Sequence, residues 1–182
     1  MQTATIDRSK NWTVEDYLQL EEGLLAQLID GELIMSPAPT TQHQRVLKNL
    51  FKILDQFDGF GETLFAPIDL YLNDKNVLQP DLVFIAEKNN HFVTDRGIEG
   101  PPEIVVEVIS PSNSFVDRNT KKRKYLEFGV KEYWIVDPGN KTLEVYTDNL
   151  DKPHLYLSTD GEVSSTILTG LKFDLAEVFK TL

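Results

Sequence analysis

The stretch P-P-E-I-V-V-E-V-I-S, residues 101–110, decides the fold of this chain. Apolar and β-branched residues fill most of it, which is the pattern of a strand covered on both faces of its sheet. Pro111 follows directly and ends the strand. A helix is predicted next, over residues 117–128, with Gly129 just beyond its end. The sequence therefore predicts a central buried strand that leads into a helix.

Hydrophobic periodicity and turn residues define the other elements on both sides of this strand. On the N-terminal side they predict a helix from about Thr13, a hairpin around Asp30-Gly31 (residues 27–36), a helix (41–57) and two strands (64–72 and 77–86). On the C-terminal side they predict a strand pair (132–137 and 142–147), two edge strands (155–157 and 163–168) and a terminal helix (175–179). This order predicts an α/β chain of the α+β kind, with a mixed sheet flanked by helices.

Length and composition predict one domain in a reducing compartment. The 182 residues fit a single domain, which we expect over residues 13–182, after a flexible N-terminal segment of residues 1–12. There is no cysteine, so disulfides and thiolate metal sites are excluded. No apolar run approaches the length of a membrane span or resembles a signal peptide. We therefore expect a cytoplasmic protein with no membrane partner.

The net charge of −11 argues against strong non-specific binding to nucleic acid. A protein that holds DNA by counterion release normally presents a basic surface. The basic residues are uneven, however, because five of them lie within residues 118–124. A site built from carboxylates also gains positive charge when it binds a metal ion. Charge alone therefore leaves nucleic acid open as a substrate.

Two acidic residues lie in apolar strands, where an ionised carboxylate is costly unless it is paired or binds metal. They are Glu107, within residues 104–109, and Asp81, just before the run 82–85. Either acid alone could be a strand-end residue or an ion-pair partner. Together with the basic helix downstream, they predict a Mg²⁺ site, because Mg²⁺ takes hard oxygen ligands and keeps several waters. A nearby lysine could orient water and neutralise developing charge.

These residues carry a resemblance to a known family. Pro80-Asp81 followed by Glu107-Val108-Ile109 resembles the PD-(D/E)xK signature of restriction-endonuclease-like nucleases. Four longer blocks are similar to the Uma2 family, formerly DUF820: IDGELIMSPAPTTQH (29–43), QPDLVFI (79–85), GPPEIVVEVISPS (100–112) and DRNTKKRKYLEFGVKEYWIVDP (117–138). The resemblance extends from Thr13 onward. It implies a restriction-endonuclease-like core with an N-terminal helix and hairpin.

The resemblance also implies a site. Asp81 and Glu107 would be metal ligands and catalytic residues, the carbonyl of Val108 a third ligand, and Mg²⁺ or Mn²⁺ the cofactor. The general signature would place its lysine at position 109, where this chain has isoleucine. The Uma2 pattern takes the lysine from the next helix and selects Lys121 as the catalytic lysine. Helical geometry alone leaves Lys122 as an alternative, because both lysines lie near the apolar face.

Further positions of the family pattern are weaker. Glu32 would assist catalysis, or it is a solvated strand residue. His43 would contact substrate phosphate or water, or it is a structural hydrogen-bonding residue, and Lys122 could also contact substrate. Gln27 stands where the family often has glutamate, so this chain lacks that acid. Asp117 is interpreted as a cap of the helix that follows it.

The resulting hypothesis is a divalent-metal-dependent endonuclease that hydrolyses phosphodiester bonds in DNA. Because such nucleases often act as dimers to cut two strands, we expect a homo-oligomer. A first alternative is a catalytically silent nucleic-acid-binding or accessory domain that keeps the fold. A second is a hydrolase that uses the carboxylates as an acid/base pair without metal, but this leaves the lysine without a role.

Overall fold

The computed structural model describes residues 10–21, 23–110 and 115–180. In that part of the chain the helices are α1 (Val14–Tyr17), α2 (Thr41–Leu54), α3 (Lys122–Phe128) and α4 (Leu175–Val178). The strands are β1 (Ala26–Ile29), β2 (Glu32–Met35), β3 (Gly61–Phe65), β4 (Leu70–Asn73), β5 (Asn76–Leu78), β6 (Leu82–Ala86), β7 (Val93–Thr94), β8 (Gly97–Ile98), β9 (Ile104–Val108), β10 (Glu132–Asp137), β11 (Thr142–Tyr146), β12 (Leu155–Ser158), β13 (Glu162–Ser164) and β14 (Lys172–Asp174). Short 3₁₀ helices follow α2 and β6, and a π-helical segment, Val116–Lys121, leads into α3.

Most strands of the described residues form two six-stranded sheets. The strand order is β2-β1-β5-β4-β8-β7 in the first sheet and β12-β11-β10-β9-β6-β3 in the second. Both sheets are mixed, because β4 runs parallel to β8 and β9 runs parallel to β10, whereas the other pairs are antiparallel. The predicted mixed α+β fold is therefore confirmed, but the single predicted sheet is two.

The difference arises from two predicted strands that are each broken in two. Residues 64–72 divide into the end of β3 and the start of β4 at Ala66-Pro67, and residues 77–86 divide into β5 and β6 at Gln79-Pro80-Asp81. A proline has no N–H for the ladder of a sheet, which is why each break contains one. In both cases the chain passes from one sheet to the other. As a result, Asp81 lies directly before β6 and not inside a strand.

The central strand β9 is buried on both faces, as predicted. Every one of its residues is buried. Val106 belongs to a core cluster with Leu50 of α2, whereas Val105 belongs to a second cluster with Tyr125 of α3 and Leu70 of the first sheet. Each such side chain contributes about 2 kcal/mol by leaving water. The double burial fixes β9 between α2 on one side and α3 on the other.

The cap of α1, the hairpin turn and the end of α3 have the conformations that the sequence predicts. Thr13 caps α1 through a reciprocal capping box with Asp16. The hairpin turn has positive φ at Asp30 (52°) and Gly31 (80°), the conformation that an Asp-Gly pair favours between two strands. Gly129, with φ 110°, ends α3. These turns set the directions in which β1, β2 and α3 leave the core.

The two ends of the chain differ from the predictions in detail. Residues 1–9 of the predicted flexible segment lie outside the described residues, but Trp12 donates its N–H to the carbonyl of Gly31 and packs beside Tyr17. The predicted edge strand 163–168 is confirmed only at its start, because β13 ends at Ser164, and among the described residues β13 pairs with β14 in a separate small sheet. Among the described residues, no helix is long and apolar enough to cross a membrane.

Candidate active site

A cleft of about 490 Å³ lies at one end of the second sheet, where β3 and β9 end and β6 begins. The register pairs Leu82 with Val106 in antiparallel β6 and β9, so the next step of the ladder places Asp81 beside Glu107. The first turn of α2 and the π-helical segment Val116–Lys121 both line the cleft. The two predicted acidic residues therefore meet, although 26 positions separate them in the chain.

Asp81 is held by two donors on one oxygen. The backbone N–H of Val108 donates to its Oδ2 at 2.8 Å, and His43 Nε2 lies 3.0 Å from the same atom. The N–H of His43 in turn donates to the side chain of the α2 N-cap, Thr40. Among the described residues, none donates a hydrogen bond to Asp81 Oδ1. One oxygen of Asp81 is thus fixed, and the other is available to a ligand.

His43 is bound at only one of its two ring nitrogens. Burial by itself lowers the pKa of His43, but the hydrogen bond and charge of Asp81 outweigh this effect and raise the pKa. Its Nδ1 is buried and has no hydrogen-bond partner among the described residues. Because buried polar atoms are nearly always satisfied, this nitrogen is suited to hold water or a substrate oxygen.

Glu107 is also held at one oxygen. Lys121 Nζ donates to its Oε1 at 3.0 Å, and the hydroxyl of Tyr125 donates to the same atom at 2.8 Å. Lys121 lies 3.2 Å from Asp117 Oδ1 as well, so one ammonium bridges two carboxylates. The exposed fractions of Glu107, Asp117 and Lys121 are 4%, 4% and 5%. These groups are therefore almost fully removed from water.

Among the described residues that line it, the cleft contains three carboxylates, those of Asp81, Glu107 and Asp117, and one lysine, Lys121. Burial raises the pKa of Glu107 to about 8, although Lys121 opposes the shift. Burial likewise raises the pKa of Asp117, again against the effect of Lys121. For Lys121 itself, burial lowers the pKa, but Glu107 and Asp117 outweigh it and raise the pKa. Lys121 stays charged, while Asp81, Glu107 and Asp117 compete for too few cations.

The structure separates the two candidate lysines. Lys121 points into the cleft, whereas Lys122 donates to the carbonyl of Leu150 at 2.6 Å and lies 4.2 Å from the ring centre of Tyr146. Glu32 is exposed beside the hairpin turn, paired with Ile29, and does not line the cleft. Val108 and His43 do line it. Of the predicted site residues, Lys122 and Glu32 lie outside the cleft.

Asp117 is a site residue that the sequence analysis missed. Its interpretation as a helix cap is wrong, because it lies inside the helical segment, after the N-cap Phe115. Its side chain pairs with Lys121, four positions later. An acid and a lysine at this spacing on a helix lie side by side, and this pattern in the sequence could have indicated the pair. Together with the buried Glu107, the pair Asp117 and Lys121 forms a cluster of three charged side chains.

Gln27 also lines the cleft. Its Oε1 accepts the N–H of Gln79 at 3.0 Å, and its Nε2 donates to the hydroxyl of Ser36 at 3.1 Å. The amide thus joins β1, the end of β2 and the loop before Asp81. It contributes hydrogen bonds here, without the negative charge that a glutamate would add.

The oxygen atoms available in the cleft suit a hard divalent cation that takes few ligands from the protein and keeps several waters. Within the described ranges, no three His, Asp or Glu side chains are arranged to hold one ion. Asp81 and Glu107, however, each have one carboxylate oxygen without a protein donor among those residues, and Val108 also lines the cleft. Mg²⁺ usually takes one or two carboxylates and retains several waters. A cation bound there would also favour the ionised form of Glu107, whose pKa burial raises.

Comparison with known proteins agrees with this fold. A model of the Uma2 family, described as "Putative restriction endonuclease", matches residues 14–176. The chain belongs to the Uma2 family. An uncharacterized protein of Synechocystis sp. is 26% identical over 160 residues, which cover 85% of this Uma2 chain and 90% of the relative.

A solved structure has the same fold as this Uma2 chain. It is the crystal structure of "a putative nuclease belonging to DUF820" from Anabaena variabilis, with a TM-score of 0.77 and 17% sequence identity. The match covers 92% of this chain and 97% of that one. The predicted restriction-endonuclease-like core, preceded by a helix and a hairpin, is thereby confirmed.

Proposed function

We propose that this Uma2 protein is a divalent-metal-dependent endonuclease that hydrolyses phosphodiester bonds in DNA. The observation that carries the proposal is the meeting of Asp81, Glu107 and Lys121 in one cleft, with Lys121 bonded to Glu107 at 3.0 Å. Two hard oxygen ligands beside a buried ammonium are groups that can promote metal-dependent phosphodiester hydrolysis. Membership in a family of this description supports the same reaction class.

Each side chain has a distinct part in this proposal. Asp81 and Glu107, with the carbonyl of Val108, would hold Mg²⁺ or Mn²⁺. Bound there, the cation would polarise the phosphodiester and lower the pKa of an attacking water. Lys121 would orient that water and stabilise negative charge as it develops, because two carboxylates keep the ammonium charged and fixed.

His43 and Asp117 would act through position and charge. His43 is fixed to Asp81 through Nε2, so its unpartnered Nδ1 would contact a substrate oxygen or a water. Asp117 would hold Lys121 beside Glu107 and would not touch substrate. Glu32 and Lys122 have no part, because neither lines the cleft. We also propose a cytoplasmic homodimer, as expected of nucleases that cut both strands.

The decisive experiment measures cleavage of a supercoiled plasmid and of a single-stranded circular DNA in Mg²⁺, Mn²⁺ or EDTA. The variants are Asp81→Asn, Lys121→Ala and, as the matched control, Lys122→Ala. We expect metal-dependent cleavage that is lost in the first two variants and retained in the control. Loss in Lys122→Ala with retention in Lys121→Ala would contradict the role given to Lys121.

A silent domain is the alternative, and the charge of −11 together with Gln27 in the cleft favours it. Calorimetry with Mn²⁺ separates the two functions. A nuclease should bind the ion in wild type and lose most of that affinity in both Asp81→Asn and Glu107→Gln. A chain that neither cuts DNA nor binds the ion through these two residues is not the proposed enzyme.

A further inference from the structure

The register of the second sheet places two buried glutamates in one row across three strands. Glu107 of β9 pairs with Ile135 of β10, and Ile135 pairs with Glu144 of β11. Residues that pair across neighbouring strands point to the same face of a sheet. Glu107 and Glu144 therefore lie on one face, two strand spacings or about 10 Å apart. Both are buried, so each needs a partner for its charge.

One helical segment supplies both partners. Lys121, the last residue of the π-helical segment, donates to Glu107 Oε1 at 3.0 Å. Arg118, three positions earlier, donates through its guanidinium to Glu144 Oε1. The same guanidinium lies 3.4 Å from Asp137 Oδ2, at the end of β10. The segment is thus attached to β9 by one cation and to β10 and β11 by another.

The carboxylates that hold Arg118 are themselves fixed to the sheet. Glu144 Oε2 accepts the hydroxyl of Tyr146 at 2.7 Å, and Asp137 Oδ2 accepts the side-chain amide of Asn140 at 2.9 Å. The exposed fractions of the Arg118 and Glu144 side chains are 30% and 10%, so water shields this pair less than it shields a pair on the open surface. Arg118 is therefore held by groups that belong to the sheet.

The direction of Lys121 depends on the turn that Arg118 holds. A π-helical turn is rare, and it changes the rotation of the side chains that follow it relative to an α-helix. The hydroxyl of the buried Tyr133 donates to the carbonyl of Asp117 at 3.0 Å and gives the segment a second attachment to β10. Arg118 does not line the cleft, so its effect on Lys121 passes through the backbone of the segment.

We propose that Arg118 is a positioning residue of the active site, whose ion pairs with Glu144 and Asp137 keep the π-helical segment in the arrangement that brings Lys121 to Glu107. The consequence for catalysis rests on the proposed nuclease function, because that function gives Lys121 its role. Arg118 itself touches neither the substrate nor the cation.

The position of Lys121 can be measured without DNA. N-hydroxysuccinimide acetate acetylates accessible lysines, and mass spectrometry follows the rate at each one. Lys121 is 5% exposed and paired, so it should react slowly in the wild type. Arg118→Met removes the ion pairs and keeps an unbranched side chain, and it should accelerate acetylation of Lys121 by about tenfold, in the range of one coupling within a charged network. Arg123→Met makes the same substitution at an exposed residue of α3 outside the cleft and should leave the rate unchanged.

Lys124 is the internal reference for this measurement. It lies on α3, its side chain is 10% exposed, and it is paired with Asp30. Acceleration at Lys121 alone supports the positioning role of Arg118. Equal acceleration at Lys121 and Lys124 shows that the substitution loosens the whole helix, and an unchanged rate at Lys121 shows that Arg118 does not hold it. Either of these two results overturns the inference.

Two further variants test the ion pair itself. Arg118→Lys keeps the positive charge and should return the acetylation rate of Lys121 towards the wild-type value. Glu144→Gln removes the charge of the partner and should accelerate acetylation as Arg118→Met does. In the double variant the two effects should not multiply, because both substitutions remove one interaction. Effects that multiply, or no recovery in Arg118→Lys, overturn the assignment of the effect to this pair.

Single-turnover cleavage of DNA measures the consequence for catalysis. Arg118→Met should lower the maximal rate by about tenfold or more, as displacement of a catalytic group does. The concentration of protein that gives half of this rate should stay the same, because Arg118 lies outside the cleft. A rise in that concentration with an unchanged maximal rate would make Arg118 a substrate contact and overturns the inference.

Acetylation and cleavage separate this inference from the proposed function. Acceleration at Lys121 alone, in a protein that cuts no DNA in Mg²⁺ or Mn²⁺, supports the positioning role and removes the nuclease function. Metal-dependent cleavage that is equal in the wild type and Arg118→Met, with unchanged acetylation of Lys121, removes the inference and leaves the nuclease function in place.

Discussion

Two buried glutamates lie on neighbouring parallel strands of the second sheet and have very different surroundings. Glu132 begins β10, is 0% exposed, and accepts four hydrogen bonds. Their donors are Trp134 Nε1 (2.9 Å), the Ser165 hydroxyl (3.0 Å), and the N–H and hydroxyl of Thr166 (2.5 and 2.6 Å). Both oxygens of Glu132 are used, and each of these donors is a neutral group.

Glu107, near the end of β9, is equally buried but uses one oxygen. Its donors are the Lys121 ammonium and the Tyr125 hydroxyl, and Asp81 and Asp117 lie close enough to disfavour its charge. The contrast teaches how to tell a structural carboxylate from a functional one. A carboxylate saturated by neutral donors holds two segments together, whereas one left half-bonded among other acids is prepared for a ligand.

The largest expected effect separates the two glutamates by activity. Glu107→Gln should lower the rate of metal-dependent cleavage by about 10³-fold, equivalent to about 4 kcal/mol of transition-state stabilisation. The cause is loss of one of two charged cation ligands. Glu132→Gln is the matched control, and its rate per folded molecule, measured by single-turnover kinetics, should equal that of wild type. Equal losses of cleavage rate in the two variants would show that Glu107 and Glu132 do not differ in function.

The second prediction concerns the cation beside Glu107. Lys121→Ala should lower the cleavage rate by about 10²-fold, in the range of one proton-transfer or charge-stabilising group. Its affinity for Mn²⁺ should not fall, because the removed charge is positive. Calorimetry and single-turnover rates on the same preparations check both parts, and Lys122→Ala serves as the control. A fall in Mn²⁺ affinity would mean that Lys121 only holds the ligands in place.

The third prediction concerns the contribution of Glu132 to the free energy of unfolding. In Glu132→Gln the new amide NH₂ faces donors, and the free energy of unfolding should fall by about 2 kcal/mol. Urea denaturation measures this change. Glu107→Gln should cost less stability, because burial raises the pKa of Glu107 to about 8 and so already favours an uncharged side chain at this position. A larger loss in Glu107→Gln than in Glu132→Gln would reverse the assignment of the two residues.

The fourth prediction adds a carboxylate to the half-bonded site. Gln27→Glu keeps an acceptor for the N–H of Gln79 and brings negative charge into the cleft. Mn²⁺ affinity should rise by about tenfold, or about 1.4 kcal/mol. Gln56→Glu makes the same change at an exposed position outside the cleft and should leave the affinity unchanged. Equal changes in both variants would point to net charge alone.

The smallest effect is expected at Glu32. Because this glutamate is exposed beside the hairpin turn, Glu32→Gln should change the free energy of unfolding by less than about 0.5 kcal/mol. Cleavage and Mn²⁺ binding should match those of wild type in the same assays. A clear loss of activity would restore Glu32 to the catalytic group and would mean that the hairpin moves when DNA binds.

Much of the fold was readable because its signals are local. The apolar run of β9, the Asp-Gly turn and the glycine that ends α3 each act within a few residues of themselves. The division into two sheets could not be predicted from the sequence. Residues 64–72 are mostly apolar and contain one proline, so they look like a single strand, although they contain the end of β3 and the start of β4. A proline shows where a ladder can break, but which sheet each half joins depends on distant strands.

The choice between Lys121 and Lys122 needed the structure. A regular helix turns about 100° per residue, and on that geometry both lysines lie near the same face. The segment Val116–Lys121 is π-helical, which adds residues to the turn and so rotates the following side chains relative to an α-helix. The lysine that reaches Glu107 is therefore decided by an irregular turn. Nothing in a periodic pattern predicts such a turn.

The sequence by itself determined the central strand, the acids Asp81 and Glu107, the basic helix after them and the family to which the chain is similar. Tertiary structure alone decided that these acids share a cleft with Asp117 and Lys121 and that Glu32 stays outside it. The physical reason is range. Propensity and periodicity act over a few neighbouring residues, whereas burial, charge and cavity shape depend on parts of the chain that meet only after folding.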